Sequence, residues 1–145
     1  PPTGPGSSKE TKVKASRLVP LLLIAAVLVY LIVGLPKGFS TDLTRIGTAP
    51  VTVVGVHDIN LVASTEMMDL LDRLHDHYGD EVLFLVADIN IPTGRGFTDE
   101  HGVRAATLLL FDAQGRKVTT LPSPLDEAVV RGEIDRELRA SRSAS

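Results

Sequence analysis

Apolar residues along this chain fall into one long run followed by several short ones. The long run is Leu18–Pro36, "LVPLLLIAAVLVYLIVGLP", and it carries no charge. As a helix rising ~1.5 Å per residue it would span roughly 28 Å, close to the hydrocarbon thickness of a bilayer. It has no polar face to turn toward water, so a buried soluble helix is a poor account of it. A signal peptide is the competing reading, but its apolar region is usually ~7–15 residues and ends in an A-x-A-like site. Here the run is longer and "GLPKGFS" follows it, so an uncleaved transmembrane anchor is expected. Pro20 is expected in its first turn, where a missing N–H costs little.

The short runs beyond residue 50 alternate in period. Val51–Val56, "VTVVGV", is a β-branched run that predicts a buried strand. Met67, Leu70, Leu71, Leu74 and Tyr78 recur at spacings of three and four, which predicts a helix capped by Ser64 and closed by Gly79. Glu81–Asp88 predicts a second strand, Asn90–Gly96 ("NIPTGRG") a loop, and Phe97–Val103 a short helix ended by Gly102. Ala106–Asp112 predicts a third strand, and the turn Ala113–Arg116 joins it to a hairpin partner, Lys117–Leu121. Ser123 as cap and Pro124 as first helical residue predict a last helix whose stripe is Val130, Ile134 and Leu138. A short extra strand is expected around Asp42–Ile46. The order is β-α-β-α-β-β-α, an α/β mixed sheet with helices on both faces, preceded by a single transmembrane helix. The expected division is a low-complexity and basic tail over 1–17, the span over 18–36, a linker or short first strand over 37–49, the α/β domain over 50–140 and a C-terminal tail over 141–145. Pro1–Ser8, "PPTGPGSS", has nothing to bury and is expected to be disordered.

Charge adds an orientation. Residues 1–36 carry Lys9, Lys12, Lys14 and Arg17 against Glu10, a net of +3; the whole chain is −3, so the remainder is −6. Four basic residues just before the span place the N-terminus in the cytoplasm and the domain outside, in the periplasm of a bacterial inner membrane. An acidic body lacks the electrostatic footprint of a nucleic-acid binder. Tyr30 lies about seven residues from Lys37, roughly 10 Å into the span. Its hydroxyl favours a partner over lipid, and Ala25, Ala26 and Gly34 are small enough for close helix approach.

Candidate chemistry is sparse. The chain has no cysteine, which excludes thiol redox chemistry, disulfides and thiolate metal sites. His75 and His77 are two apart on a helix and point in different directions, so they make a poor metal pair. Ser64 with His57 and Asp58 could be drawn as a nucleophile set, yet neighbours at a strand end rarely meet in triad geometry. Gly94-Arg95-Gly96 lacks the spacing of a phosphate loop. No cofactor, metal or small-molecule substrate is expected.

The words "HYGDEVLFLVADIN" and "HGVRAATLLLFDAQGRKV", in this order of elements, resemble the thioredoxin family over about Pro50–Leu138. The resemblance implies a thioredoxin-like fold. Counting back from Tyr78, the family's C-x-x-C falls on Leu61-Val62-Ala63-Ser64 and its preceding Trp on Asn60. The family's buried acid falls near Gly55, and its cis-proline on Ala106, so the Ala105–Ala106 peptide is expected to be trans. The resemblance therefore implies a redox-inactive relative. In the family this face receives extended polypeptide, which makes Asn60, Leu61, Val62, Ala63, Ser64, Ala105 and Ala106 the expected partner-binding residues, with Tyr30 in the membrane. The expected role is a non-catalytic accessory or scaffold subunit that meets other membrane-protein subunits and the bilayer. Respiratory and photosynthetic assemblies are complexes of this type. A membrane-tethered assembly factor or chaperone-like module is the alternative.

Overall fold

The structure, a computed structural model, describes residues 6–34 and 38–145, with side chains over 16–33 and 38–145. It forms two compact units, one up to Gly38 and one from Phe39 to Ser145.

In the first unit, helix α1 runs from Gly6 to Gly34. It therefore begins twelve residues before the apolar run, and Gly6–Ser8 are helical rather than a disordered tail. Residues 1–5 and the end of the expected span, 35–36, lie outside the described residues. Pro20 sits inside the helix instead of in its first turn, so the ladder lacks the bond its N–H would make. Ser16–Val33 is long and apolar enough to cross a membrane, and none of it is buried against protein. Those properties suit a membrane span and a secretory signal alike.

The second unit is built on four strands: β1 (Val51–His57), β2 (Val82–Asp88), β3 (Thr107–Phe111) and β4 (Lys117–Pro122), in spatial order β2-β1-β3-β4. β1 pairs with β2 in parallel and with β3 antiparallel, and β3 and β4 form the hairpin. Helix α2 (Val62–Tyr78) crosses from β1 to β2, α3 (Pro92–His101) joins β2 to β3, and α4 (Glu127–Ser143) ends the chain. The expected order of elements holds.

Two apolar layers sandwich the sheet. Successive strand residues point to opposite faces, so Val51 and Val53 join α2 and α4 in one cluster with Leu71, Leu74, Ile134 and Leu138. Val54 and Val56 point the other way, toward Phe97 of α3, Leu85, Leu109 and Phe111. The central strand is thus buried on both faces, which explains its unbroken β-branched run. Tyr78 closes the α2–α4 contact: its hydroxyl lies 2.8 Å from Asp135 Oδ1. Burial, and then that carboxylate, push the phenol pKa upward. His101 packs edge-on and tilted against Phe111 and Phe97, and burial pulls its pKa down.

Several boundaries differ from the sequence reading, each for a physical reason. No strand forms over Asp42–Ile46; a 3-10 turn, Leu43–Arg45, takes its place, N-capped by the Asp42 side chain. Among the described residues the edge beside β2 is met by a single bridge, Ser40 to Leu85. "NIPTGRG" is not a loop throughout, because α3 starts at Pro92. Pro92 occupies its first turn, and Gly94 is there for space: any Cβ would collide with the Asp88 carbonyl oxygen. Ser123 and Pro124 do not start α4. Asp126 caps it, accepting from Ala128 N at 2.9 Å, and the Ser123–Pro124 bond is cis. α4 runs on to Ser143, through most of the expected tail.

Thr52 is fully buried on β1 and its hydroxyl oxygen has no hydrogen-bond partner. A buried unpaired hydroxyl costs about 1–3 kcal/mol. Replacing Thr52 with Val should therefore stabilise the fold by about 1 kcal/mol. Equilibrium denaturation of the two chains checks this; a loss of stability would show that the hydroxyl is bonded after all.

Candidate functional site

The ends of four segments meet at one end of the sheet: the turns after β1 and β2, the entry to β3 and the loop after β4. The first two turns are built alike. Asp58 Oδ1 accepts from the Asn60 main-chain and side-chain nitrogens at 3.0 and 3.2 Å. Asp88 Oδ1 accepts from the same two groups of Asn90 at 2.8 and 2.9 Å. Each is an Asx turn that reverses the chain out of a strand. These bonds, the main-chain one first, hold the Asp88 carboxyl below its ordinary pKa. The words are Asp-Ile-Asn at 58–60 and again at 88–90. That repeat was visible in the sequence and marks both turns, yet the pattern of apolar runs alone passes over it.

The first turn delivers the chain to α2. Leu61 N donates to Asp58 O at 3.1 Å, and Leu61 is the N-cap, with no side-chain acceptor. Ser64 is therefore the third helical residue and does not cap. Its N–H reaches Leu61 O at 3.0 Å, while its Oγ accepts from Asp58 N at 3.1 Å. A hydroxyl fully buried at that position ties the turn to the helix from inside. It is committed to Asp58 main chain rather than to an imidazole, so the Ser64, His57 and Asp58 set does not form. His57 ends β1 opposite Asp88, and its buried Nδ1 has no partner.

The side chains around Ser64 point outward. Ile59 is 75% exposed, Val62 76%, Leu61 40% and Ile91, at the head of α3, 38%. Asn60 is exposed beside them, and half-buried Ala63 lines a groove of about 180 Å³ shared with Met67, Leu70, Pro124 and Leu125. Ile59 and Ile91 escaped the sequence reading because each sits singly in a turn, between Asp58 and Asn60 or between Asn90 and Pro92, with no periodicity to flag it.

Ala106, the residue before β3, has φ +60°, the left-handed region, and is buried. Its N–H donates to Val56 O at 2.8 Å and its carbonyl accepts from Ser123 N at 3.1 Å. Ala105 precedes it, half-buried against the α3-side cluster. Among the described residues the Ser123–Pro124 bond is the one cis peptide, so Ala105–Ala106 is trans as expected. At Gly55, in mid-strand, a Cβ would lie 2.7 Å from Leu71 Cδ1 and 3.1 Å from Met67 Cε. α2 fills the space that an acidic side chain would need.

Other candidates stand apart. His75 and His77 are exposed on α2; His75 packs near Phe39 and Phe84, and His77 edge-on to Tyr78. No group of three or more His, Asp or Glu among the described residues could hold a metal ion. Tyr30 lies on α1, 75% exposed, on one face with Leu22, Ala25, Ala26, Val29 and Val33.

The sequence matches no known family model and no curated protein. Solved structures do match. A mutant thioredoxin from Halobacterium salinarum NRC-1 aligns at 17% identity and TM-score 0.56, covering 68% of this chain and 81% of that one. The germline-specific thioredoxin Deadhead from Drosophila melanogaster aligns at 14% and 0.57, covering 69% and 98%. A chain from a structure on thiol resolution in yeast mitochondrial 1-Cys peroxiredoxin via glutathione/thioredoxin systems aligns at 22% and 0.56, covering 67% and 94%. The second unit has the thioredoxin-like fold. It presents that fold without a cysteine.

Leu61 at the N-cap and Ser64 in the first turn of α2 lie one helical turn apart, a spacing a disulfide can bridge. The L61C/S64C chain should form an intrachain disulfide on mild oxidation, read as a loss of two thiols without dimer formation; two persistently free thiols would mean the turn has drifted out of register. At Ala106, proline would need φ near −65° and would remove the bond to Val56. A106P should cost about 3 kcal/mol or more, whereas A106G should be neutral or stabilising by up to ~1 kcal/mol. Denaturant midpoints of the two variants decide it, and a tolerated A106P would show that the β3 entry is free to re-form.

Proposed function

We propose that this chain is a non-catalytic accessory subunit of a larger membrane protein complex. α1 anchors it in the bilayer beside other membrane helices, and the thioredoxin-like domain docks on a protein partner through the end of the sheet around Leu61. The basic residues ahead of the apolar run favour a cytoplasmic N-terminus and a domain on the outer, periplasmic face.

The observation that carries this reading is the exposed set Ile59, Leu61, Val62 and Ile91 at the position where the family keeps its redox pair. Fully burying an exposed side chain of this size contributes about 1.5–3 kcal/mol, and less for Leu61 and Ile91, which are already partly buried. Three or four of them could offset the cost of association, and a tether that raises effective concentration lowers that cost further. A site that accepts polypeptide but carries no sulfur can hold a partner and cannot reduce it. Asn60, Ala63, Ala105 and Ala106 then frame the contact, and Tyr30 serves lateral packing in the membrane.

The test uses the tagged full chain extracted from its native membrane in mild detergent. A subunit should return with stoichiometric partners. The L61D chain should lose them at least tenfold while folding normally, because an aspartate at the N-cap supplies the acceptor that α2 lacks. Recovery of the chain alone, or association untouched by L61D, would overturn the reading. Substoichiometric and transient recovery would instead indicate an assembly factor or chaperone-like module.

A further inference from the structure

Charge is distributed unevenly around the exposed apolar tip. α2 carries Glu66, Asp69, Asp72 and Asp76 on its surface, all exposed. Val62, Asp69 and Asp76 are spaced by seven, so they form one row that starts at the tip and runs down the solvent side of the helix. Ion pairs elsewhere in the domain are numerous: Arg73 and Arg131 hold Glu127, Arg116 holds Asp112, Arg136 holds Glu133, and Arg142 holds Glu81. None of them involves Glu66, Asp69, Asp72 or Asp76. The one Lys or Arg on α2, Arg73, lies beside the Asp69 main chain and pairs its guanidinium with Glu127, not with the Asp69 carboxylate. From residue 50 to 100 the chain holds ten Asp and Glu against Arg73 and Arg95. An apolar tip is thus continuous with a row of unneutralised carboxylates.

We infer that the partner of this face is a polypeptide with an apolar end followed by a run of Lys and Arg. The apolar end covers Ile59, Leu61, Val62 and Ile91, and the cationic run lies along Asp69, Asp72 and Asp76. This rests on the docking reading above and specifies its chemistry. The alternative occupant, an anionic lipid surface, meets the same carboxylates as like charges and is repelled. Opposite charges along a rim steer encounter and fix orientation, while the apolar centre supplies the affinity. Val62 to Asp76 spans roughly 21 Å of helix, which an extended strand of about six residues covers.

The full chain in zwitterionic-lipid nanodiscs is titrated against a fluorescent probe, LVLVGKKGKKK, and its counterpart with each Lys replaced by Glu; empty discs give the background. The basic probe should bind at least tenfold tighter than the acidic one at low salt. That preference should vanish toward about 0.5 M salt, where the screening length is only a few ångströms. D69K/D76K should abolish the preference and leave the helix intact by circular dichroism. V62S, which removes apolar surface without adding charge, should weaken both probes. Equal binding of the two probes, no binding of the basic probe, or a preference that survives D69K/D76K overturns the inference. If V62S leaves the basic probe's binding unchanged while D69K/D76K abolishes it, the charge row stands and the docking reading at the tip is what fails. Binding that appears only when anionic lipid is added to the discs assigns the face to lipid and overturns the inference as well.

Discussion

The contact of α2 with β1 at Gly55 sets the rest of the domain. The ends of the Leu71 and Met67 side chains occupy the space that a side chain at Gly55 would need, so α2 packs its apolar face directly onto the bare strand. The first turn of α2 is then tied to the end of β1 by the Asp58 turn. Everything at that end follows: Ser64 can reach Asp58 from inside, and Leu61 and Val62 are left outside. The same contact removes the room in which a buried carboxylate could assist sulfur chemistry.

A second close approach, at Gly94, does for α3 what Gly55 does for α2. It lets the head of α3 press on the Asp88 main chain, and Ile91 is carried to the same end of the sheet as Leu61. Two glycines thus bring two turns of the same Asp-Ile-Asn design side by side. Both are needed for space, not for a special backbone angle: neither has a positive φ.

The order of elements was legible because its signal is periodic. β1, β2 and β3 are buried runs bounded by turns, and α2 and α4 show apolar residues at spacings of three and four, which burial later occupies at Leu70, Leu71, Leu74, Val130, Ile134 and Leu138. What was not legible is what depends on three-dimensional neighbours. "PTGRG" reads as a loop until Asp88 is known to lie against Gly94. Ser64 and Ser123 are good caps by residue type, but Leu61 and Asp126 hold those places because the preceding turns end there. The face at Leu61–Ser64 could be located only by likeness of words and order, and Ile59 and Ile91 joined it only when exposure was known.

Ala106 gives that face its character. Both of its main-chain groups are spent within the domain, one on Val56 and one on Ser123, so the mouth of the sheet is stitched shut at this residue. An alanine N–H does here what a proline could not. Hydrogen-bond pairing to a strand would read an incoming chain by register, one residue at a time. Aliphatic surface has no such ruler: it accepts many sequences of similar shape and cannot tell one alignment from the next. If the tip of Ile59, Leu61, Val62 and Ile91 is the docking face proposed above, it would be permissive, and its selectivity would come from what surrounds it.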